Sequence, residues 1–176
     1  MDALPRDTAR LTLRRLTRGD LAAFQSYRTL PEVFRYQSWE RMDDAAAGAF
    51  LDAVANAPLW VEGEWMQIGV AEPGCLIGDI GLCRTGDTVE MGITLHPDRW
   101  GRGLAREAWA SAMGWIWATT GVVRIVGIAD VENAGSVRML AAAGLTEIAR
   151  QEVMFHGEPC VEVTFEARRP PDPVPD

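Results

Sequence analysis

The sequence predicts a mixed α/β fold: a central, mostly antiparallel sheet with one parallel strand pair, and helices on both faces. Three observations predict the architecture. Residues 65–95 read as three strands joined by short turns, which favour hairpins. Residues 104–130 read as a helix and then a continuous apolar strand, and a strand–helix–strand unit calls for a parallel neighbour. Helices and strands also interleave along all 176 residues instead of segregating.

The run RLTLRRL (10–16) alternates apolar and polar side chains, as a half-buried strand does. Thr17 with Asp20 three residues on reads as a helix N-cap, opening LAAFQSYRTL, which runs to Pro31. EVFRYQSW (32–39) reads as irregular, and Asp43 and Asp44 then open an alanine-rich helix closed by Asn56 to Pro58. The meander follows as Trp65 to Glu72, a Pro73-Gly74 turn, Cys75 to Arg84, a Gly86-Asp87 turn, and Thr88 to Leu95. The helix from Leu104 to near Thr120 places Trp109, Ala112, Met113 and Ile116 on one face, ahead of the strand VRIVGIAD (123–130). A last helix starts near Asn133 and stops at Gly144, which suits a left-handed cap. Thr146 to Phe155, a turn over His156 to Pro159, and Val161 to Ala167 form a closing hairpin. Residues 1–168 are expected to form one domain. The Pro-rich tail 169–176 is expected to be disordered, since proline supplies no ladder donor.

Composition narrows the function classes. A chain of 176 residues can bury about 70% of its unfolded surface in one core. A formal charge of −8, with arginine as the sole basic residue type besides two histidines, argues against a general nucleic-acid binder. No run approaches the ~18 apolar residues of a membrane span. The start shows no apolar core with a small-residue cleavage site, so a cytoplasmic protein with no membrane partner is expected. Cys75, Cys83 and Cys160 form no C-x-x-C, and with only His96 and His156 beside them no metal is expected; they read as buried thiols.

The stretch HPDRWGRGLAREAWA (96–110) concentrates Arg99, Arg102 and Arg106 with Gly101 and Gly103 at a strand-to-helix junction. A helix start leaves its first amides unpaired, its dipole favours anions, and glycine lets a ligand approach closely, so phosphate is the natural guest. A dinucleotide fingerprint would need glycine at Arg106, and a Walker loop would need a lysine this chain lacks. A tight turn with solvated arginines is the alternative.

WGRGLA (100–105) followed by REA resembles the acyl-CoA pyrophosphate loop of the GNAT superfamily of N-acetyltransferases, whose pattern is Gln/Arg-x-x-Gly-x-Gly/Ala. Trp100 stands at the polar first position, as in the branch that acetylates ribosomal-protein N-termini at alanine and serine. RLTLRRLTRGDL (10–21), RYQSW (35–39), LIGDIGL (76–82), EMGITLHPDRWGRG (90–103) and N-x-x-S-x-R (133–138) with Gly144 beyond are similar to that branch over nearly the whole chain.

The resemblance implies a GNAT-like fold, in which the parallel strand pair splays apart, and direct acetyl transfer from acetyl-CoA, as co-substrate, to a primary amine in a ternary complex. It implies that Arg99, Trp100, Gly101, Arg102, Gly103, Leu104 and Ala105 anchor the cofactor, that Ile93, Thr94 and Leu95 pair with the pantetheine arm while one of their amides polarises the thioester, and that Asn133 holds that arm. Many relatives carry an acid tyrosine where this chain has Leu140; the resemblance shifts that role to Ser136. Glu90, in the otherwise apolar VEMGI, is the candidate base, because burial raises a carboxyl pKa; alternatively it faces solvent or pairs with an arginine. Tyr36 and Trp39 are candidate acceptor-site walls, and aromatic walls suit a protonated amine. A peptide N-terminus and a small-molecule amine are both open as acceptor, as is a homodimer. A non-catalytic acyl-CoA-binding or regulatory module on the same fold is the alternative function.

Overall fold

A computed structural model describes residues 4–171. Its strands are β1 (Arg6–Asp7), β2 (Thr12–Arg15), β3 (Trp65–Glu72), β4 (Cys75–Thr85), β5 (Thr88–Leu95), β6 (Arg124–Asp130), β7 (Thr146–Phe155) and β8 (Glu158–Arg168). Its helices are α1 (Leu21–Arg28), α2 (Pro31–Phe34), α3 (Asp44–Asn56), α4 (Leu104–Thr119) and α5 (Ala134–Ala142). The strands form one sheet in the order β1-β2-β3-β4-β5-β6-β8-β7, antiparallel throughout except for β5 beside β6.

Local chemistry accounts for the element ends. Thr17 and Asp20 form a reciprocal capping box at a short 3-10 turn that leads into α1. The Asp43 side chain accepts from the Ala46 N–H and starts α3. Pro31 sits at the first turn of α2, where its missing N–H costs nothing, so part of the segment expected to be irregular is helical. The closing turn is His156-Gly157, tighter than expected, and Pro159 lies within β8 opposite Met154, beyond the stretch of β8 that pairs with β6.

Strand alternation splits the core in two. Leu13, Ile68, Ile80, Leu82, Val89 and Met91 point to one face and pack with Trp109, Trp115 and Ile116 of α4 and Leu140 of α5. On the other face Leu16 and Leu76 pack with Phe24, Tyr27, Val33 and Leu51 of the first three helices. The second face also holds a buried charge: Arg28 donates to both oxygens of Asp79 on β4, at 2.7 and 3.2 Å, and Tyr27 Oη donates to the same carboxylate. The Arg28 guanidinium lies 4.4 Å from the Phe24 ring centroid and 4.3 Å from that of Trp39. This cluster pins the chain after α2 to the sheet.

The expected tail begins at Arg169, whose guanidinium is held by the carbonyls of Thr120 and Val122. Residues 172–176 of that tail lie outside the described residues. The cysteines are not buried as expected: Cys75 is exposed and Cys83 and Cys160 are half-buried. Among the described residues, no helix is long and apolar enough to cross a membrane.

Candidate active site

The site follows from where β5 stops pairing with β6. The parallel ladder runs through Thr88/Arg124, Val89/Ile125 and Glu90/Val126; beyond it β5 stays with β4 as far as Leu95, while β6 stays with β8 as far as Asp130. The facing edges of residues 91–95 and 127–130 are therefore open, and open backbone edges call for another hydrogen-bonding partner. Gly127 belongs to this arrangement: a Cβ there would lie 2.5 Å from Leu140 and 3.0 Å from Trp109, so α4 and α5 pack directly on the backbone of the diverging strand.

At the open end of β5 the chain makes a 3-10 turn over Pro97–Arg99 and enters α4. The Trp100 Nε1–H donates to Leu95 O at 2.9 Å, laying a half-exposed indole across the end of the strand. Gly101 and Gly103 both adopt left-handed φ values, 70° and 74°. Gly103 is the N-cap of α4 and offers no side-chain cap, so the first amides of the helix are free to meet a ligand. A groove of ≈ 1280 Å³ opens over this helix start, bounded by Ile93, Thr94 and Leu95 on one side and by Asn133, Ser136 and Met139 on the other.

The groove continues inward. A cavity of ≈ 130 Å³ shares Tyr36, Gln37, Ile93, Asn133, Ser136 and Met139 with it, passes between the split strands, and ends against Phe155, Cys160, Asp130 and Glu162. Trp109 lines this cavity, and its buried indole N–H has no partner among the described residues. The Asn133 side chain caps α5 by accepting from the Ser136 N–H at 3.1 Å. Ser136 and Leu140, one turn apart on one face of α5, both line the cavity.

Of the residues singled out in the sequence, Ile93, Thr94, Leu95, Arg99, Trp100, Gly101, Gly103, Leu104, Ala105, Asn133, Ser136 and Tyr36 border the groove. Arg99 is already engaged, its Nε 2.8 Å from Glu72 Oε2, while Arg106 also borders the groove. The exposed Arg102 side chain is absent from the lining, as is Trp39, which covers Arg28 and meets Phe34 edge-on. Glu90 borders neither space. It is half-buried one residue behind the cavity wall formed by Met91 and Gly92, on the sheet face that carries Asp79. Burial, and secondarily the Glu162 carboxylate, raise its pKa above the ordinary value. His156 Nε2 lies 3.0 Å from Gln37 O, and its ring sits between Phe34 and Phe155.

The sequence reading missed Asp130 and Glu162 at the cavity end, Gln37 where groove and cavity adjoin, and Thr8, Arg10 and Glu107 at the groove rim. Alternation in VEV (161–163) signals a polar face for Glu162, though not what it faces. Among the described residues, no group of three or more metal-ligating side chains converges.

A split parallel pair, with a helix start at one end and carboxylates at the other, leaves an open space between its strands. The acetyltransferase (GNAT) domain model matches residues 10–146, so the chain belongs to that family and is an acetyl-CoA-dependent acyltransferase. It is 26% identical over 137 residues to an uncharacterized N-acetyltransferase, p20, of Bacillus licheniformis, covering 76% of this chain and 77% of that one. The fold is similar to that of spermidine N-acetyltransferase from Vibrio cholerae, solved with CoA and spermine, at TM-score 0.77 and 19% identity, covering 92% of this chain and 96% of the other. It is also similar to ribosomal-protein-S5-alanine acetyltransferase from Vibrio fischeri, at TM-score 0.75 and 13% identity over 93% and 95% of the two chains.

Proposed function

We propose that the protein transfers the acetyl group of acetyl-CoA to a primary amine by direct attack in a ternary complex. The observation that carries this reading is a groove at the uncapped start of α4 adjoining, through shared walls, a cavity between β5 and β6 lined by the carboxylates Asp130 and Glu162. Donor and amine then approach from opposite sides of the sheet, which supplies the proximity that a bimolecular transfer needs.

The amides of Gly101 to Ala105 would hold the pyrophosphate. Arg106 supplies positive charge there, while Arg99, paired with Glu72, borders the same space. The open edge at Ile93 to Leu95 offers amides to the pantetheine arm and to the thioester carbonyl, where a fixed donor stabilises the oxyanion. Asn133 faces the same arm. Glu90 draws the amine proton through a water, which its raised pKa suits. The amine nitrogen bonds to the acetyl carbon, the carbon–sulfur bond breaks, and the departing thiolate takes a proton. Leu140 cannot donate one, whereas Ser136 offers a hydroxyl to the same cavity.

On the acceptor side Tyr36 borders the cavity and Asp130 and Glu162 favour a cationic amine; Trp39 would act from behind, by holding Arg28 and Phe34. A peptide N-terminus and a small amine both fit this description. Thiol release from acetyl-CoA, measured against alanyl peptides and diamines, tests the reading. Release above the hydrolytic background with one class is expected. No release with any amine, alongside tight acetyl-CoA binding, would leave the non-catalytic binding module in its place.

A further inference from the structure

We propose that Arg10 is a positioning residue for the phosphate-binding loop: by holding the Arg102 carbonyl and the Glu107 carboxylate together, it fixes the direction in which the Gly103 amide points. The inference rests on the acetyl-CoA reading of the groove.

Arg10 stands in the turn between β1 and β2, and Glu107 in the first turn of α4. Both oxygens of Glu107 are taken up by that one turn. Oε1 accepts from Thr8 Oγ1 at 2.6 Å and from the Arg10 backbone N–H at 2.9 Å, and Oε2 accepts from Arg10 Nε at 2.7 Å. Arg10 Nη2 also lies 2.7 Å from Oε2, which makes the pair a two-nitrogen contact on one carboxylate oxygen. The remaining arm of the guanidinium, Nη1, donates to Arg102 O at 2.9 Å. These hydrogen bonds hold the Glu107 carboxyl below the ordinary value, the Thr8 hydroxyl contributing most.

The Arg10 side chain is about half exposed (49%), and exposed ion pairs add little stability. Its geometry has a more specific consequence. The peptide joining Arg102 to Gly103 is planar, so in its trans form the Gly103 N–H points opposite to the Arg102 carbonyl. A donor that captures the carbonyl therefore aims the amide away from Arg10. Such an anchor matters here because the loop contains two left-handed glycines, whose backbones are otherwise free to turn. Thr8, Arg10 and Glu107 border the same groove as Gly101 and Gly103. Glu107 neutralises Arg10, so its part is to hold the loop and not to serve as a counter-ion for phosphate.

The test compares Arg10→Ala and Arg10→Lys with the parent protein, using acetyl-CoA, its dephospho form lacking the 3′-phosphate, and S-acetylpantetheine, which has no nucleotide phosphates. Arg10→Ala is expected to raise KM about tenfold for both nucleotide donors, the loss of roughly one positioned hydrogen bond, with kcat unchanged. Use of S-acetylpantetheine is expected to stay at the parental level, and Arg10→Lys to regain part of the loss, since an ammonium can reach one acceptor but not span both. An unchanged KM for acetyl-CoA in Arg10→Ala overturns the inference and leaves the binding groove intact. An equal loss with all three donors assigns the effect to general destabilisation, and a loss confined to acetyl-CoA assigns Arg10 to the 3′-phosphate; either overturns it. Failure of the parent protein to bind acetyl-CoA overturns the reading of the groove itself.

Discussion

Glu90 and Val126 form the last register pair of the parallel ladder between β5 and β6, so a half-buried carboxyl stands at the point where the sheet divides. Burial and the Glu162 carboxylate raise its pKa, which poises it to accept a proton nearer neutrality. Glu90→Gln is expected to lower kcat about 100-fold and to remove the acidic limb of the rate profile. Glu162→Gln is expected to move that limb to lower pH, because a repelling negative charge is gone. Initial rates measured across the acid range check both.

The same carboxyl is a stability cost. A native pKa above the unfolded one means that the folded state binds more protons between the two values, so stability falls as pH rises through that window. The penalty is complete above the native pKa. Glu90→Gln is therefore expected to raise the melting temperature at neutral pH while it lowers activity, and thermal melts at neutral and acidic pH should show the gain shrinking toward acid.

Capping and ligand contact can be separated at the start of α5. Asn133→Asp keeps a good N-cap and is expected to preserve the melting temperature while weakening acetyl-CoA binding through its added charge. Asn133→Ala loses the cap as well, at about 1 kcal/mol. Ser136→Ala keeps the capped backbone amide and is expected to lower kcat with little change in stability. Urea melts paired with initial rates distinguish the three.

The Arg28–Asp79 pair holds α1 to the sheet. Both side chains are nearly inaccessible, 5% and 2% exposed, so removing one partner strands a buried charge. Arg28→Leu is expected to cost about 3–5 kcal/mol in a urea melt and to release Trp39 from its stacking partner, visible as a change in tryptophan fluorescence.

Much of the fold was legible because its signals are local. The turn residues Pro73-Gly74 and Gly86-Asp87 set β3 and β5 at the residues expected, and left-handed Gly144 follows α5 as a cap. The glycine turn at the start of α4 was legible for the same reason, since Gly101, Gly103 and the helix start lie within a few residues. Contacts between distant segments were not. Arg10 and Glu107 are 97 residues apart, and no periodicity links them. Trp39 reads as an acceptor-site wall until Arg28 is found beneath it, and Glu162 reads as a polar-face residue until β8 inserts between β6 and β7 and carries it to the cavity.

Calorimetric titration with acetyl-CoA, first of the parent protein and then of Gly103→Glu, asks whether the start of α4 holds the cofactor. The variant puts a carboxylate at the uncapped helix start, on a backbone with φ of 74° that resists a side chain. Saturable binding by the parent, lost in the variant while the fold is retained, is the predicted result. No binding by the parent, or equal binding by both, would contradict it.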